Sequence, residues 1–196
     1  HKYLYLILKQ KREYSMNVKY ADLKNKRVFI TGGGSGIGAS IVEHFCEQSS
    51  EVYFVDINLK ETKKLLNKIK KNKFRTPTFI ECNLLDINRL EKIIKKIIST
   101  KGPIHALINN AANDDRHTTD QVDEKYWENR MAINLKHYFF AAKSVVKAMK
   151  KMKSGSIVNL SSVSWMLGEG DKVVYETAKS AVVGLTRSFA QEYGKY

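Results

Sequence analysis

Short apolar runs alternate with longer amphipathic stretches along most of the chain. The apolar runs predict strands, which fall at 28–31, 52–55, 78–82, 106–109 and 157–160. The amphipathic stretches predict helices, which fall at 36–47, 59–71, 87–99, 174–193 and 125–151, the last with a break near Asn129. Strands that alternate with helices of about 10–15 residues are typical of βαβ units around a parallel sheet. Because such crossovers are right-handed, helices cover both faces of the sheet, and the sequence predicts a doubly wound α/β fold.

The chain of 196 residues carries a formal charge of +14, and most of the excess is lysine. Between 90 and 98 the apolar residues recur at helical spacing, while Lys92, Lys95 and Lys96 take the opposite face. We interpret the lysines as a solvated surface rather than as the footprint of a nucleic acid or an acidic membrane. The sequence therefore predicts neither a nucleic-acid partner nor a membrane partner.

Two further features narrow the class of protein. The longest apolar run, Tyr3 to Leu8, is far shorter than the roughly 18 residues needed to cross a bilayer. The two cysteines, Cys46 and Cys82, are too few and too far apart for a disulfide scaffold or a zinc site, so no metal is expected. These features predict a soluble, cytoplasmic protein.

A glycine-rich turn joins the first strand to the first helix. Glycines at such a junction permit a tight turn and let the backbone approach a pyrophosphate, which then lies at the positive end of the helix. The placement between a strand and a helix favours phosphate binding over a plain turn. The cofactor-binding residues assigned to this turn are Gly32, Gly34, Ser35, Gly36, Ile37 and Gly38.

Asp56 ends the second strand, at about the distance along the chain where a dinucleotide fold places the carboxylate that binds the ribose. A carboxylate there would repel a 2′-phosphate, so NAD is favoured over NADP. The alternative role is a helix N-cap, for which aspartate is also suited.

Residues 23–196 are predicted to form a single NAD-binding Rossmann domain. Residues 1–22 are predicted to be a poorly ordered extension, in which Met16 is a candidate natural start.

Tyr175 and Lys179 are four residues apart and share one face of the last helix. An ammonium at this spacing stabilises a phenolate, which makes the tyrosine a candidate general base. Ser162 follows the fifth strand, where its hydroxyl could bond a substrate hydroxyl or carbonyl. Ser161 competes for that role, and the spacing to Tyr175 favours Ser162. Asn134, within the long helix, is a candidate holder of a water in a proton relay.

Taken together, these motifs resemble those of the classical short-chain dehydrogenases/reductases. The resemblance extends from about Leu23 to the end of the chain and includes Asn109, Asn110 and Ala111. It implies hydride transfer at a nicotinamide, with Tyr175 as the acid/base and Ser162 orienting the substrate. It also implies that Lys179 binds the ribose and tunes Tyr175. The remaining implied roles are a proton relay supported by Asn134, cofactor binding by Tyr175, an adenine-side position for Asn83 and Leu84, and a place in the cofactor cleft for Asn110.

The segments after the fourth and fifth strands resemble those of the aldose 1-dehydrogenases within the family. They imply a sugar substrate that contacts Asn113, Ser162, Ser164 and Trp165, since polar side chains can bond sugar hydroxyls and an indole can stack on a sugar face. The alternative is that the first segment caps the next helix, which we favour for Thr118 and Thr119. His117 is interpreted as a surface or supporting residue. Trp127 and Tyr126 are interpreted as packing residues.

The resemblance also raises expectations about completeness and assembly. Relatives continue beyond the catalytic helix with a sixth strand, a Pro-Gly turn, a lid and a seventh strand, so we expect a truncated domain whose fifth strand is a sheet edge. The family often assembles through the helix around Asn134 and the catalytic helix, which implies a homodimer or homotetramer.

Three alternative functions remain open at this point. The chain could reduce another carbonyl, such as an acyl-chain ketone. It could bind the cofactor without turnover because its C-terminal part is missing. Finally, the positive charge could serve nucleic-acid binding, which a salt titration would test.

Overall fold

The computed structural model describes residues 18–196, which form a five-stranded parallel sheet with helices on both faces. The strands are β1 (Arg27–Thr31), β2 (Glu51–Asp56), β3 (Thr78–Glu81), β4 (Ala106–Asn109) and β5 (Ser156–Asn159). The helices are α1 (Gly36–Glu47), α2 (Leu59–Lys71), α3 (Ile87–Lys101), α4 (Glu124–Met131), α5 (His137–Met152), α6 (Ser164–Leu167) and α7 (Val173–Tyr193). The predicted doubly wound α/β fold is confirmed. Most of the predicted extension, including Met16, lies outside the described residues.

The order of the strands locates the crevice where a ligand binds. The sheet runs β3-β2-β1-β4-β5, so the chain moves outward in one direction from β1 and then returns to build the other half. The reversal falls between β1 and β4, where Thr31 pairs with Asn109. In open α/β sheets, ligands bind at the carboxyl ends of the strands beside such a reversal. The glycine turn follows β1 and therefore borders this crevice.

β1 is buried on both faces, as expected for a central parallel strand. Val28 and Ile30 pack on one face with Ile69 of α2, and α1 contributes to the same cluster. Phe29 packs on the other face with Ile94 of α3, and α5 contributes there. The two clusters hold the carboxyl ends of β1 and β4 at a fixed distance from the surrounding helices.

The predicted helix over 125–151 is broken at a different place than expected. A π-helical segment, Ala132–Lys136, separates α4 from α5, so the break lies at Asn134 and not near Asn129. Such π segments occur mostly as single-turn bulges inside α-helices, often at functional sites. The short helix α6 was not predicted either. β5 begins and ends one residue earlier than predicted, and α3 continues to Lys101.

Two further expectations concern the edge of the sheet and the crossing of a membrane. β5 is the outermost strand on its side among residues 18–196, as predicted. Within those residues, no helix combines the length and the apolar character that crossing a bilayer requires.

Gly38 is expected to tolerate no side chain. A Cβ there would overlap the Gly32 carbonyl oxygen and lie 2.6 Å from Asn110 Nδ2, and the backbone at this turn cannot move aside. Gly38→Ala should therefore lower the free energy of unfolding by about 1–3 kcal/mol, measured by urea denaturation. The matched control is Gly184→Ala on α7, where a Cβ would meet no described atom within 4 Å. This change should raise stability by about 0.5–1 kcal/mol, and equal stability of the two variants would contradict the packing described.

Candidate active site

A cavity of about 550 Å³ opens at the carboxyl ends of β1, β2 and β4. It brings together most of the residues predicted to bind the cofactor. Those that border it are Gly32, Ser35, Gly36, Ile37, Gly38, Asp56, Asn83, Leu84 and Asn110. Asn113, predicted to contact substrate, also borders it. Gly34, Tyr175 and Lys179 do not.

The amino end of α1 fits a pyrophosphate. Ser35 precedes this helix, and within the described residues its side chain makes no capping hydrogen bond. In contrast, Asn58 caps α2 and Asp86 caps α3 by accepting from backbone N–H groups at 3.1 and 2.9 Å. Gly36 has a φ of +53°, and a Cβ there would meet no described atom within 4 Å. The first turn of α1 therefore keeps open space and unshared N–H donors, which is the arrangement that binds phosphate.

Asp56 organises the glycine turn from the end of β2. One carboxylate oxygen accepts from the backbone N–H of Gly34 at 2.7 Å, and the other accepts from that of Asn58 at 2.8 Å. The alternative role as the cap of α2 is wrong, because Asn58 caps that helix. Each carboxylate oxygen has a second lone pair, so the group can still accept from ribose hydroxyls. Because Gly34 has no side chain, its backbone can approach the Asp56 carboxylate this closely. This contact accounts for a glycine at a position that does not border the cavity.

Asn110 joins the ends of β1 and β4. Its side-chain amide donates to the Thr31 and Gly32 carbonyls at 3.1 and 2.9 Å. Its backbone N–H and that of Ala111 donate to the Thr31 hydroxyl at 3.0 and 3.2 Å. These bonds fix the floor of the cavity where the strand order reverses.

Lys179 lies in the interior, where its side chain is 1% exposed. Its ammonium donates to the Leu160 carbonyl at 2.7 Å and to the Tyr138 phenol oxygen at 2.8 Å. Nζ lies 5.7 Å from the ring centre of Tyr175, so the predicted pair is brought together on one face of α7. Burial lowers the pKa of Lys179 from 10.5 to about 8. Burial and the neighbouring lysine lower the pKa of His137 to about 3, which leaves that imidazole neutral.

The two serines after β5 have different partners. The Ser161 hydroxyl donates to the Lys179 carbonyl at 2.7 Å, which ties the end of β5 to α7. The Ser162 hydroxyl pairs with that of Ser164 at 2.8 Å and accepts from the Ser164 N–H at 3.2 Å. The preference for Ser162 over Ser161 is thus consistent with the hydrogen bonding. Ser164 is 3% exposed, so it is placed to orient Ser162, whereas Trp165 is half-buried on α6.

Asn134 supports the loop after β4. It is fully buried in the π-helical segment, and its side chain both accepts from the Asn113 N–H at 2.8 Å and donates to the Asn113 carbonyl at 2.9 Å. This pair uses one N–H and one lone pair of the amide, which leaves its second N–H and its second lone pair for another partner. The π turn shifts the backbone hydrogen bonds at this point.

The rest of that loop bears on several interpretations from the sequence. His117 is 5% exposed, so the surface alternative is wrong and the supporting one stands; its Nδ1 lies 2.9 Å from the Tyr126 hydroxyl. Tyr126 is therefore a hydrogen-bonding residue as well as a packing one. Trp127 is 40% exposed, so it is not a packing residue within the described chain. Thr118 begins a short 3-10 turn, in which its N–H donates to the Gln121 side chain at 2.8 Å. The next helix, α4, is capped by Asp123, so the predicted capping of that helix by Thr118 and Thr119 is wrong.

Sequence reasoning missed Tyr138 and His137, both fully buried beside Lys179. A signal was present, because these two polar residues precede the small apolar stripe of α5 at positions that face the sheet. Nothing in the spacing showed that the stripe ends beside Lys179.

The buried ammonium gives the free energy of unfolding a defined pH dependence. Between about pH 8 and 10.5 the folded state binds fewer protons than the unfolded state, so stability contributed by Lys179 rises with pH. The stability of the unmodified protein minus that of Lys179→Met should rise by up to about 1.4 kcal/mol per pH unit in this window and be flat below it. Lys147→Met, which removes an exposed lysine of α5, is the control and should follow the unmodified protein. If the free energies of unfolding of all three proteins changed with pH in parallel, the cost assigned to burying the Lys179 ammonium would be refuted.

Comparison with known proteins agrees with this geometry. The sequence model described as short chain dehydrogenase matches residues 26–196. The chain is 40% identical over 175 residues to D-xylose 1-dehydrogenase of Caulobacter vibrioides, covering 89% of this chain and 68% of that protein. It is 36% identical over 176 residues to a probable galactose dehydrogenase of Rhizobium meliloti, covering 90% and 69%. The ligand-free aldohexose dehydrogenase of Thermoplasma acidophilum superposes with a TM-score of 0.77 at 29% identity, over 89% of this chain and 64% of that one. The chain thus spans about two thirds of the length of these relatives, and it belongs to the short chain dehydrogenase family.

Proposed function

We propose that this chain oxidises the CH–OH group of an aldose sugar with NAD as the hydride acceptor. The observation that carries the proposal is the buried Lys179 ammonium, 5.7 Å from the Tyr175 ring, at the same edge of the sheet as the dinucleotide-sized cavity. An isolated lysine in such a site has no structural advantage, since burial disfavours its charged form. A catalytic role beside a tyrosine explains why it is there.

The cofactor would be held by residues that the structure places around the cavity. The open amino end of α1 would receive the pyrophosphate, and the Asp56 carboxylate would accept from the adenosine ribose hydroxyls. When bound, the nicotinamide supplies the acceptor for the hydride. Asp56 favours NAD because its charge would face the 2′-phosphate of NADP.

The chain's own residues would manage the proton. The Tyr175 phenolate takes the proton of the substrate hydroxyl as the C–H bond gives up its hydride, so the alcohol becomes a carbonyl. The Lys179 ammonium stabilises the phenolate by its charge. The Ser162 hydroxyl, oriented by Ser164, bonds the reacting oxygen. Asn113 and Trp165 are the proposed contacts to the rest of the sugar.

The choice of a sugar rests on the relatives and on the polar loop after β4. A D-xylose and a probable galactose dehydrogenase are among the proteins similar to this chain. The loop offers Asn113, Asp114 and Arg116, which suit several hydroxyl groups.

One observation favours the reduction of an apolar ketone as a second candidate function. Val163, Met166 and Leu167 follow Ser162 closely and are 68–70% exposed. A panel that contains aldoses and a short acyl thioester ketone separates the two functions.

Tyr175→Phe should reduce kcat by about 10²–10⁴-fold, the usual contribution of a general base. The variant should bind the cofactor as before, measured by fluorescence titration. Tyr193→Phe alters a half-buried tyrosine on the same helix and should retain full turnover. The proposal fails if every accepted aldose is oxidised equally fast after the change at Tyr175.

Asp56→Ala should move the cofactor preference toward NADP. Affinity for NAD should fall with the loss of ribose hydrogen bonds, while the ratio of the two affinities changes about tenfold or more as like-charge repulsion is removed. Calorimetric titration with each cofactor measures both. Glu81→Ala provides the control, because Glu81 pairs with Asp56 at the end of the next strand but does not border the cavity. An unchanged ratio in the Asp56 variant would count against the assigned role.

A further inference from the structure

Tyr138 is a second tyrosine beside the catalytic lysine, and the proposed mechanism does not use it. It is 0% exposed and lies in the first turn of α5. Its hydroxyl lies 2.8 Å from Lys179 Nζ, 3.1 Å from the Leu160 carbonyl oxygen and 3.3 Å from the Ala111 carbonyl oxygen. These carbonyls follow the ends of β5 and β4. The phenol therefore contacts both strands that border the site.

The chemistry of the groups fixes the direction of these hydrogen bonds. An ammonium has three N–H donors and no acceptor, so the Tyr138 oxygen must accept from Lys179. The single phenol proton is then donated to one of the two carbonyls. Among the described residues, Leu160 and Tyr138 supply acceptors for two of the three N–H groups of Lys179. The third N–H is free for the ribose or for Tyr175.

The other charged and titratable groups around the ammonium do not replace this contact. Tyr175 lies on the same helix, and His137 of α5 is neutral because burial lowers its pKa to about 3. In the described part of the chain, Lys179 forms no ion pair with a carboxylate. Tyr138 and Leu160 are thus the groups that hold the cation in place.

We propose that Tyr138 is a positioning residue of the active site, whose phenol oxygen holds the Lys179 ammonium beside Tyr175. This inference rests on the proposed function, in which that ammonium stabilises the Tyr175 phenolate. Without the acceptor, the ammonium would be less well solvated by the protein and freer to turn away. The ammonium would then stabilise the Tyr175 phenolate less.

Tyr138→Phe removes the acceptor and keeps the shape of the side chain. We expect kcat to fall about tenfold, in proportion to the loss of one hydrogen bond to a charged group. The acidic limb of the pH–rate profile should move to higher pH by about one unit, because the phenolate loses part of its stabilising charge. KM for the sugar should stay within about twofold, since the hydroxyl is buried.

A readout independent of turnover is the titration of Lys179 itself, followed by NMR of the protein labelled with ¹³C at lysine Cε. The signal is assigned by its loss in Lys179→Met. In the unmodified protein the pKa should be about 8, and in Tyr138→Phe it should be lower, because the charged form has lost an acceptor. Identical titrations in the two proteins would overturn the proposal.

The matched control is Tyr53→Phe. Tyr53 is also buried, at 6% exposure, and its hydroxyl donates to Glu51 at 2.6 Å. This change removes one buried hydroxyl from the same sheet without touching Lys179. It should leave the pH–rate profile and the Lys179 titration unchanged, and an equal effect from both variants would show that Tyr138 has only a structural role.

The experiment separates this inference from the proposed function. If the unmodified protein oxidises no sugar, the proposed function fails, while the lysine titration still decides whether Tyr138 holds the ammonium. If Tyr138→Phe does not fold, ¹³C-tyrosine NMR of Lys179→Met gives the decision. The Tyr138 ring carbon next to the oxygen should then shift relative to the unmodified protein, and an unshifted signal would overturn the proposal.

Discussion

The burial of one ammonium group determines how the carboxyl edge of this sheet is built. Lys179 can remain charged in the interior only if nearby oxygens replace the water it has lost, and the Leu160 carbonyl and the Tyr138 phenol supply them. This requirement fixes the end of β5 against α7 and brings the first turn of α5 to the same point. The adjacent His137 is neutral because burial lowers its pKa, and the neighbouring ammonium lowers that pKa further.

The fold was largely predictable because its signals are local. Each strand is a short apolar run, and each helix shows amphipathic spacing, so several boundaries, such as those of α1 and α2, agree to the residue. The strand order β3-β2-β1-β4-β5 depends on long-range pairing, and the local signals did not give it. The π turn around Asn134 escaped prediction because it is a change of backbone hydrogen bonding over a single turn, with α-helix on both sides.

The site was predictable where a residue type is tied to a motif, and not where its role depends on a distant partner. Spacing correctly placed Asp56 and most of the glycine turn at the cavity, and Tyr175 and Lys179 on one face of a helix. In contrast, the bond between Tyr138 and Lys179 spans 41 residues, and the pairing of Asn134 with the Asn113 backbone spans 21. Contacts of this kind arise from tertiary packing, which a single sequence does not specify. His117 illustrates the same limit, since its burial depends on the loop that folds over it.

The double engagement of Asp56 constrains how this nucleotide pocket can change over evolution. The carboxylate that would exclude a 2′-phosphate is also the acceptor that fixes the Gly34 and Asn58 amides. A single substitution that removes the carboxylate and leaves no acceptor therefore removes an anchor of the turn as well. A lineage that shifted from one dinucleotide to the other would need a neutral acceptor at this position, or a compensating change in the turn, before the new preference could be combined with a stable loop. Cofactor choice and loop stability are thus inherited together in this chain.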